Sequence, residues 1–203
     1  MSSDKKNIRA IVIVAALGYF VDIYDLILFS VVRKPSLASL GFTGDAQFSV
    51  GVSLLNWQMA GMLIGGIIWG IFGDRKGRIK VLFGSIFLYS AANIANGFVQ
   101  DINTYSILRF IAGVGLAGEL GAGITLVSEV MHKETRGWGT TIVATVGLFG
   151  AIVAALVANK FDWRIAYFIG GAMGIALLIL RVSVYESGMY KNIQDKNISR
   201  GNI

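Results

Sequence analysis

Four charged residues within otherwise apolar stretches of the sequence are candidates for proton or solute chemistry: Asp22, Asp25, Arg109 and Glu119. A charged side chain in hydrocarbon costs roughly 2.5 to 3.5 kcal/mol on insertion scales, so it usually faces a partner or a cavity and marks the path of a solute or a proton. Asp22 and Asp25 are three residues apart, which places them on one face of a helix. Because neighbouring carboxylates in a water-poor site share protons, we expect at least one of them to take up and release a proton near neutral pH.

Arg109 and Glu119 lie ten residues apart in one apolar stretch, or about 15 Å along a helix. Arg109 can pair with either aspartate or receive an anionic solute. Glu119 either handles a proton or solute or makes an interhelical hydrogen bond. Three further polar residues are candidates for the same cavity: Tyr24, Asn56 and Gln58. Helix-to-helix hydrogen bonding explains the two amides equally well.

The stretch RFIAGVGLAGELGAG, residues 109–123, contains Gly113, Gly115 and Gly118 in the spacing of a dinucleotide-binding loop. Such a loop requires a preceding strand and a following helix in a soluble βαβ unit. These glycines lie inside an apolar span, where a turn would expose unpaired backbone groups to lipid. We therefore interpret them as helix-packing residues. The same small-xxx-small spacing recurs in the pairs Gly61 and Gly65, Gly66 and Gly70, and Gly170 and Gly174.

Composition indicates a membrane protein. Of the 203 residues, 55% are hydrophobic and 15% are charged, against about 25% charged in an average soluble chain. Stretches long enough to cross about 30 Å of hydrocarbon as helices occupy six approximate spans: 10–32, 48–72, 81–100, 102–131, 137–159 and 165–185. The sequence therefore predicts an all-α, multi-pass integral protein in contact with the lipid bilayer. Residues 1–9 would form an N-terminal tail, and residues 186–203 a tail or the start of a linker.

Basic residues in the connecting segments predict the orientation. Thirteen of them, Arg181 included, lie on the side of the two termini and four on the other side, so the positive-inside rule places both termini in the cytoplasm. The pI near 9.7 then reflects basic loops beside anionic lipid headgroups, and nucleic acid is not expected as a partner. The first span is too long for a cleavable signal peptide and contains two aspartates.

The segment GIFGDRKGRIK, residues 70–80, resembles the signature between helices two and three of the major facilitator superfamily. Arg109 with Gly113 and Gly115 resembles its helix-four motif, and Glu129 with Arg136 resembles the step into helix five. The sequence FDWR at 161–164 resembles the turn into helix six. GYFVDIYD at 18–25 and AGE at 117–119 are most similar to the metabolite:proton symporter branch.

The resemblance implies the N-terminal half of a major facilitator fold, with six transmembrane helices arranged as two inverted three-helix repeats and a solute site near mid-membrane. It also implies a cytoplasmic gate, in which Arg78 pairs with Glu129 and Asp74 contacts a helix of the C-terminal half. The gate residues are Gly70, Asp74, Arg75, Gly77, Arg78, Glu129 and Arg136. Topology alone is the simpler explanation for Arg75.

The implied function is secondary active transport of a small polar metabolite (an organic acid, osmolyte or sugar) across the cytoplasmic, or cell inner, membrane by alternating access, coupled to protons. A proton-independent facilitator or exchanger, and an inactive half-transporter or scaffold, are the alternatives. Because a transporter of this superfamily has about twice this length, we expect the chain to need a C-terminal six-helix half or a second copy. No cofactor is expected, and neither is an enzyme, since the sequence has no metal-ligand cluster and no nucleophile–base arrangement.

Overall fold

The structure is a computed structural model that describes residues 2–131 and 134–186, without the side chains of residues 2–10, 78–79, 122–126, 128–130 and 185–186. The described residues form six α-helices and no strand, as predicted. In chain order these are α1 (Ser2–Ser39), α2 (Gly44–Lys76), α3 (Arg78–Asn96), α4 (Ile102–Val130), α5 (Arg136–Lys160) and α6 (Trp163–Glu186). Four of them are long and apolar enough to cross a membrane, over Ile11–Ser39, Gly44–Lys76, Arg136–Lys160 and Trp163–Val184.

Local signals define where the helices begin and end. Gly77 separates α2 from α3 with a φ of 92°, in the left-handed region that glycine adopts without strain. Before α4, Asp101 accepts the backbone N–H of Thr104 at 2.8 Å, and this hydrogen bond lowers the pKa of the exposed Asp101 carboxyl. Helix α3 ends four residues before the predicted boundary at 100. There the carbonyl of Gly97 accepts a hydrogen bond from Arg164 Nη1 at 3.0 Å instead of continuing the helix.

Glycines bring the helix backbones into direct contact. The most extensive packing is between α1 and α5 and between α2 and α4. A Cβ atom added to Gly61 or Gly65 of α2 would overlap the backbone of α4, and one added to Gly113 of α4 would overlap the backbone of α2. Gly150 of α5 lies in the same way against the backbone of α1. The packing interpretation of Gly61, Gly65 and Gly113 is therefore confirmed.

Two glycines with the same spacing behave differently. A Cβ atom on Gly66 or Gly70 would meet no atom within 4 Å. The prediction that this pair packs against a neighbouring helix is wrong for the described chain, because both residues lie on the outer face of α2. Spacing alone identifies a pair of small residues but does not say which face of the helix is covered.

The pairing of helices agrees with two three-helix repeats. If α1, α2 and α3 correspond to α4, α5 and α6, the α2–α4 contact corresponds to the α5–α1 contact, and the α3–α4 contact corresponds to the α6–α1 contact. All four contacts are present. The inverted relation between the repeats stays a prediction. Helices α1, α4 and α6 meet in the interior of the bundle, with α3 beside them, and they supply the buried charges described next.

Candidate functional site

Five charged side chains are buried among the described residues: Asp22, Asp25, Arg109, Glu119 and Arg181. All are at most 4% exposed, so the six helices cover them without help from any other chain. Three are carboxylates and two are guanidinium groups, which gives the set a surplus of one negative charge when all are ionised. They fall into two groups along α1, which we call the arginine cage and the acidic triad.

The arginine cage consists of Asp25, Phe29, Arg109, Tyr105 and Tyr167. Arg109 Nη2 lies 3.2 Å from Asp25 Oδ2 in an ion pair between α4 and α1. The guanidinium carbon is 4.4 Å from the centre of the Phe29 ring and 5.6 Å from that of Tyr167, distances at which an aromatic face attracts a cation. The cage therefore surrounds Arg109 with one carboxylate and two rings.

A line of hydroxyl groups continues from the cage toward the end of α1. The hydroxyl oxygens of Tyr105 and Tyr167 are 2.7 Å apart, and Ser36 Oγ lies 3.3 Å from the Tyr105 hydroxyl. Ser36 itself donates to the carbonyl of Arg33 at 3.0 Å. Because the Ser36 proton is used in this way, Tyr105 donates to Ser36 and Tyr167 donates to Tyr105.

The acidic triad consists of Asp22, Glu119 and Arg181. Glu119 and Arg181 form a two-contact ion pair between α4 and α6, with Nη1 and Oε2 at 2.6 Å and Nη2 beside Oε1. Arg181 Nη1 also donates to the carbonyl of Leu82 on α3 at 3.3 Å. A Cβ atom on Gly18 would overlap both partners of the pair. The absent side chain at Gly18 thus lets this pair lie against α1.

Asp22 is the carboxylate without an arginine of its own. It is close enough to Glu119, Arg181 and Asp25 for electrostatic interaction, but both described ion pairs in the interior belong to other carboxylates. Its Oδ2 atom has no hydrogen-bond partner among the described residues. Because Asp22 is buried and lacks a full counter-charge, the ionised carboxylate is expensive in this position. Protonation of Asp22 removes the surplus charge.

The three polar cavity candidates have different positions. Tyr24 is fully buried, and its hydroxyl donates to the carbonyl of Ala166 at 2.9 Å, joining α1 to α6. Gln58 is buried at the contact of α2 with α4, and its Nε2 atom has no partner among the described residues. Asn56 is exposed on the opposite side of α2. Of the three, only Asn56 is exposed.

The gate residues whose side chains are described lie at the surface. Gly70, Asp74, Arg75, Gly77 and Arg136 are exposed, so Asp74 is free of cover by these six helices. The side chains of Arg78 and Glu129 lie outside the described residues, and their pairing stays a prediction. Two open cavities, of about 310 and 440 Å³, are lined by residues from other positions, Tyr19 with Thr140 and Thr141 in one and Asp101 with Thr104 in the other.

Arg181, Phe29, Tyr105 and Tyr167 are functional candidates that the sequence did not reveal. The orientation prediction counts Arg181 among the cytoplasmic charges, but Arg181 lies inside the bundle, so the count of basic residues becomes twelve against four. Its position in an apolar stretch five residues before the end of α6 was the available signal. The described residues contain no group of three possible metal ligands of the His, Cys, Asp and Glu types.

Comparisons with known proteins agree with this fold. The family model described as Major Facilitator Superfamily matches residues 15–196. The niacin transporter NiaP of Acinetobacter baylyi is 35% identical over 147 residues, which cover 70% of this chain and 32% of that protein. The benzoate transport protein of the same species is 28% identical over 186 residues, covering 87% and 39%.

A solved structure shows the same arrangement of helices. The proton:xylose symporter XylE of E. coli, bound to 6-bromo-6-deoxy-D-glucose, matches with a TM-score of 0.80 at 17% identity, over 95% of this chain and 49% of that one. The chain spans about half the length, or less, of the relatives it matches. The predicted fold class, half of a twelve-helix transporter fold, is therefore confirmed, while the roles of individual side chains rest on their geometry.

Proposed function

The chain belongs to the Major Facilitator Superfamily, and on that premise we propose that it forms one half of a secondary transporter that moves a small polar metabolite together with protons by alternating access. The second half is a C-terminal six-helix unit or a second copy of the chain. The transporter lies in the cytoplasmic membrane with both termini of this chain inside. The exposed Asp74 and its neighbours at the α2–α3 turn face the second half.

The observation that carries the proposal is the surplus carboxylate. Two arginines balance Asp25 and Glu119, and Asp22 has no ion pair among the described residues. A buried ionisable group of this kind in a membrane protein marks a proton or ion path. When Asp22 is protonated the charges balance and the bundle can close over them. When Asp22 is ionised, a conformation that exposes it to water on one side of the membrane lowers its free energy. The protonated and ionised states therefore favour different conformations of the transporter.

A small organic acid is the solute class that we favour. The two curated relatives described above are named for niacin and benzoate, and both molecules are aromatic carboxylic acids. Arg109 does not bind the solute in this proposal, because Asp25, Phe29 and Tyr167 cover its guanidinium group. Solute recognition then falls to exposed groups such as Asn56 and to the second half.

The test uses the protein at the full length that its gene encodes, reconstituted in liposomes with radiolabelled benzoate and niacin as probes. We expect a pH gradient, acidic outside, to drive accumulation in the wild type. Asp22→Asn should abolish gradient-driven accumulation but retain exchange of labelled for unlabelled solute, because only the proton-binding group is lost. Asp45→Asn, which removes an exposed carboxylate from the first turn of α2, serves as the matched control and should accumulate solute normally.

Full accumulation by Asp22→Asn would contradict the role of Asp22. Wild-type uptake that ignores the pH gradient would instead favour the proton-independent facilitator, in which both ion pairs serve only to hold the helices together. Absence of uptake from liposomes that contain only this six-helix chain, with uptake restored by a second half, would support the half-transporter arrangement.

A further inference from the structure

Three buried hydroxyl groups from three helices form a single chain beside the arginine cage. Ser36 comes from α1, Tyr105 from α4 and Tyr167 from α6, and all three residues are fully buried. Their hydrogen bonds run in one direction, from Tyr167 to Tyr105 and then to Ser36. The Tyr105 and Tyr167 rings meet edge to face with centres 6.2 Å apart. The hydroxyl chain therefore fixes both rings relative to each other and to α1.

The ion pair in the cage needs such support. Arg109 touches Asp25 through a single 3.2 Å contact, whereas Arg181 touches Glu119 through two contacts. The Nε and Nη1 atoms of Arg109 have no hydrogen-bond partner among the described residues. Asp25 alone thus leaves the guanidinium group free to turn. The Phe29 and Tyr167 rings supply the remaining contacts, and the Tyr167 ring is held in place by the hydroxyl chain.

We infer that Ser36, Tyr105 and Tyr167 are positioning residues that hold Arg109 against Asp25 and thereby direct the transported proton to Asp22. This inference rests on the proposed function. With Arg109 in place, Asp25 keeps its counter-charge, so Asp22 is the carboxylate left to bind the proton. If the hydroxyl chain is broken, Arg109 loosens and less positive charge is held beside the two aspartates, which makes proton binding at this site easier.

Several other groups surround the same carboxylates. The titratable and charged groups that face Asp25 are Asp22 and Tyr24 on α1, Tyr89 on α3, Arg109 and Tyr105 on α4, and Tyr167 on α6. Tyr89 is the useful comparison, because it is as buried as Tyr105 and Tyr167 but does not belong to the hydroxyl chain. Its hydroxyl approaches a different acceptor, the Val21 carbonyl, at 3.4 Å.

The experiment measures benzoate uptake by the reconstituted full-length protein as a function of external pH. Tyr167→Phe and Tyr105→Phe remove one oxygen each and keep the rings. Each should move the half-maximal point of the uptake profile to less acidic pH, by about 0.5 to 1 unit, the size expected for the loss of one hydrogen bond. The double variant should shift the profile no further than the single variant with the larger shift, because the hydroxyl chain acts as one unit. Tyr89→Phe is the matched control and should keep the wild-type profile.

Ser36→Ala removes the hydroxyl group at the other end of the hydroxyl chain. It provides an independent variant if a tyrosine variant folds poorly. It should give a shift in the same direction. Unshifted profiles in all of these variants, with gradient-driven uptake intact in the wild type, would overturn the inference while leaving the proposed function standing. A shift equal to that of Tyr89→Phe would also overturn it. If wild-type uptake does not respond to pH, the proposed function fails first and the inference fails with it.

Discussion

The arginine cage and the acidic triad solve the same problem in different ways. Each buries an arginine between helices, but the cage gives Arg109 one carboxylate and two aromatic faces, whereas the triad gives Arg181 a two-contact carboxylate and leaves Asp22 nearby. The cage is balanced in charge and the triad is not. The difference teaches that a buried ion pair by itself does not identify a proton site, and that the charge left over after pairing is the better guide.

The largest effect should follow from breaking the triad. Arg181→Gln leaves two buried carboxylates without a cation, and removing one partner of a buried pair costs about 3 to 5 kcal/mol. We expect the free energy of unfolding in detergent to fall by this order. The double variant Glu119→Gln with Arg181→Gln removes both charges and should recover most of the loss. A double variant no more stable than the single one would show that the pair is not the interaction being broken.

A smaller effect should separate the two aspartates. Asp25→Asn leaves Arg109 with only the aromatic faces, which offset part of the lost ion pair, so we expect a loss of about 2 to 4 kcal/mol. Asp22→Asn removes the surplus charge and should leave stability unchanged or raise it. Chemical unfolding of the two purified variants measures both values. Equal losses in the two variants would erase the distinction between cage and triad.

The smallest effect should come from the glycine beside the triad. Gly18→Ala places a methyl group where Glu119 and Arg181 meet α1, and moving the ends of two long side chains should cost about 1 to 2 kcal/mol. Gly66→Ala is its control, because that position faces open space and alanine is the better helix former. Thermal unfolding of both variants is the measurement. A loss at Gly66 as large as that at Gly18 would mean that space for the ion pair does not set the result.

The sequence predicted the features that depend on one helix at a time. Long apolar stretches set the helices, and charges inside them identified Asp22, Asp25, Arg109 and Glu119 as buried. The packing role of Gly113 could also be predicted, because its position inside an apolar span is enough to exclude a nucleotide-binding loop. These inferences need only composition and helical period, which a single sequence contains.

Features that depend on three helices meeting could not be predicted. The hydroxyl chain joins residues 69 and 62 positions apart, and nothing in the local sequence of Tyr105 or Tyr167 points to the other. Arg181 lies near a helix end, where arginines commonly extend to the membrane surface, so its burial became visible only with Glu119 opposite to it. Gly66 and Gly70 meet no other helix of the described chain, for the related reason that spacing does not fix the direction of a helix face.

The glycine contacts between α2 and α4 and between α1 and α5 have a mechanical consequence. Backbones that touch without side chains between them cannot slide past each other by a change of rotamer, so we expect the six helices to turn as one solid body. A pair of spin labels on α2 and α4 should then report one distance throughout a transport cycle. The motion that exposes the solute first to one side of the membrane and then to the other would take place at the surface between these six helices and the second half of the transporter.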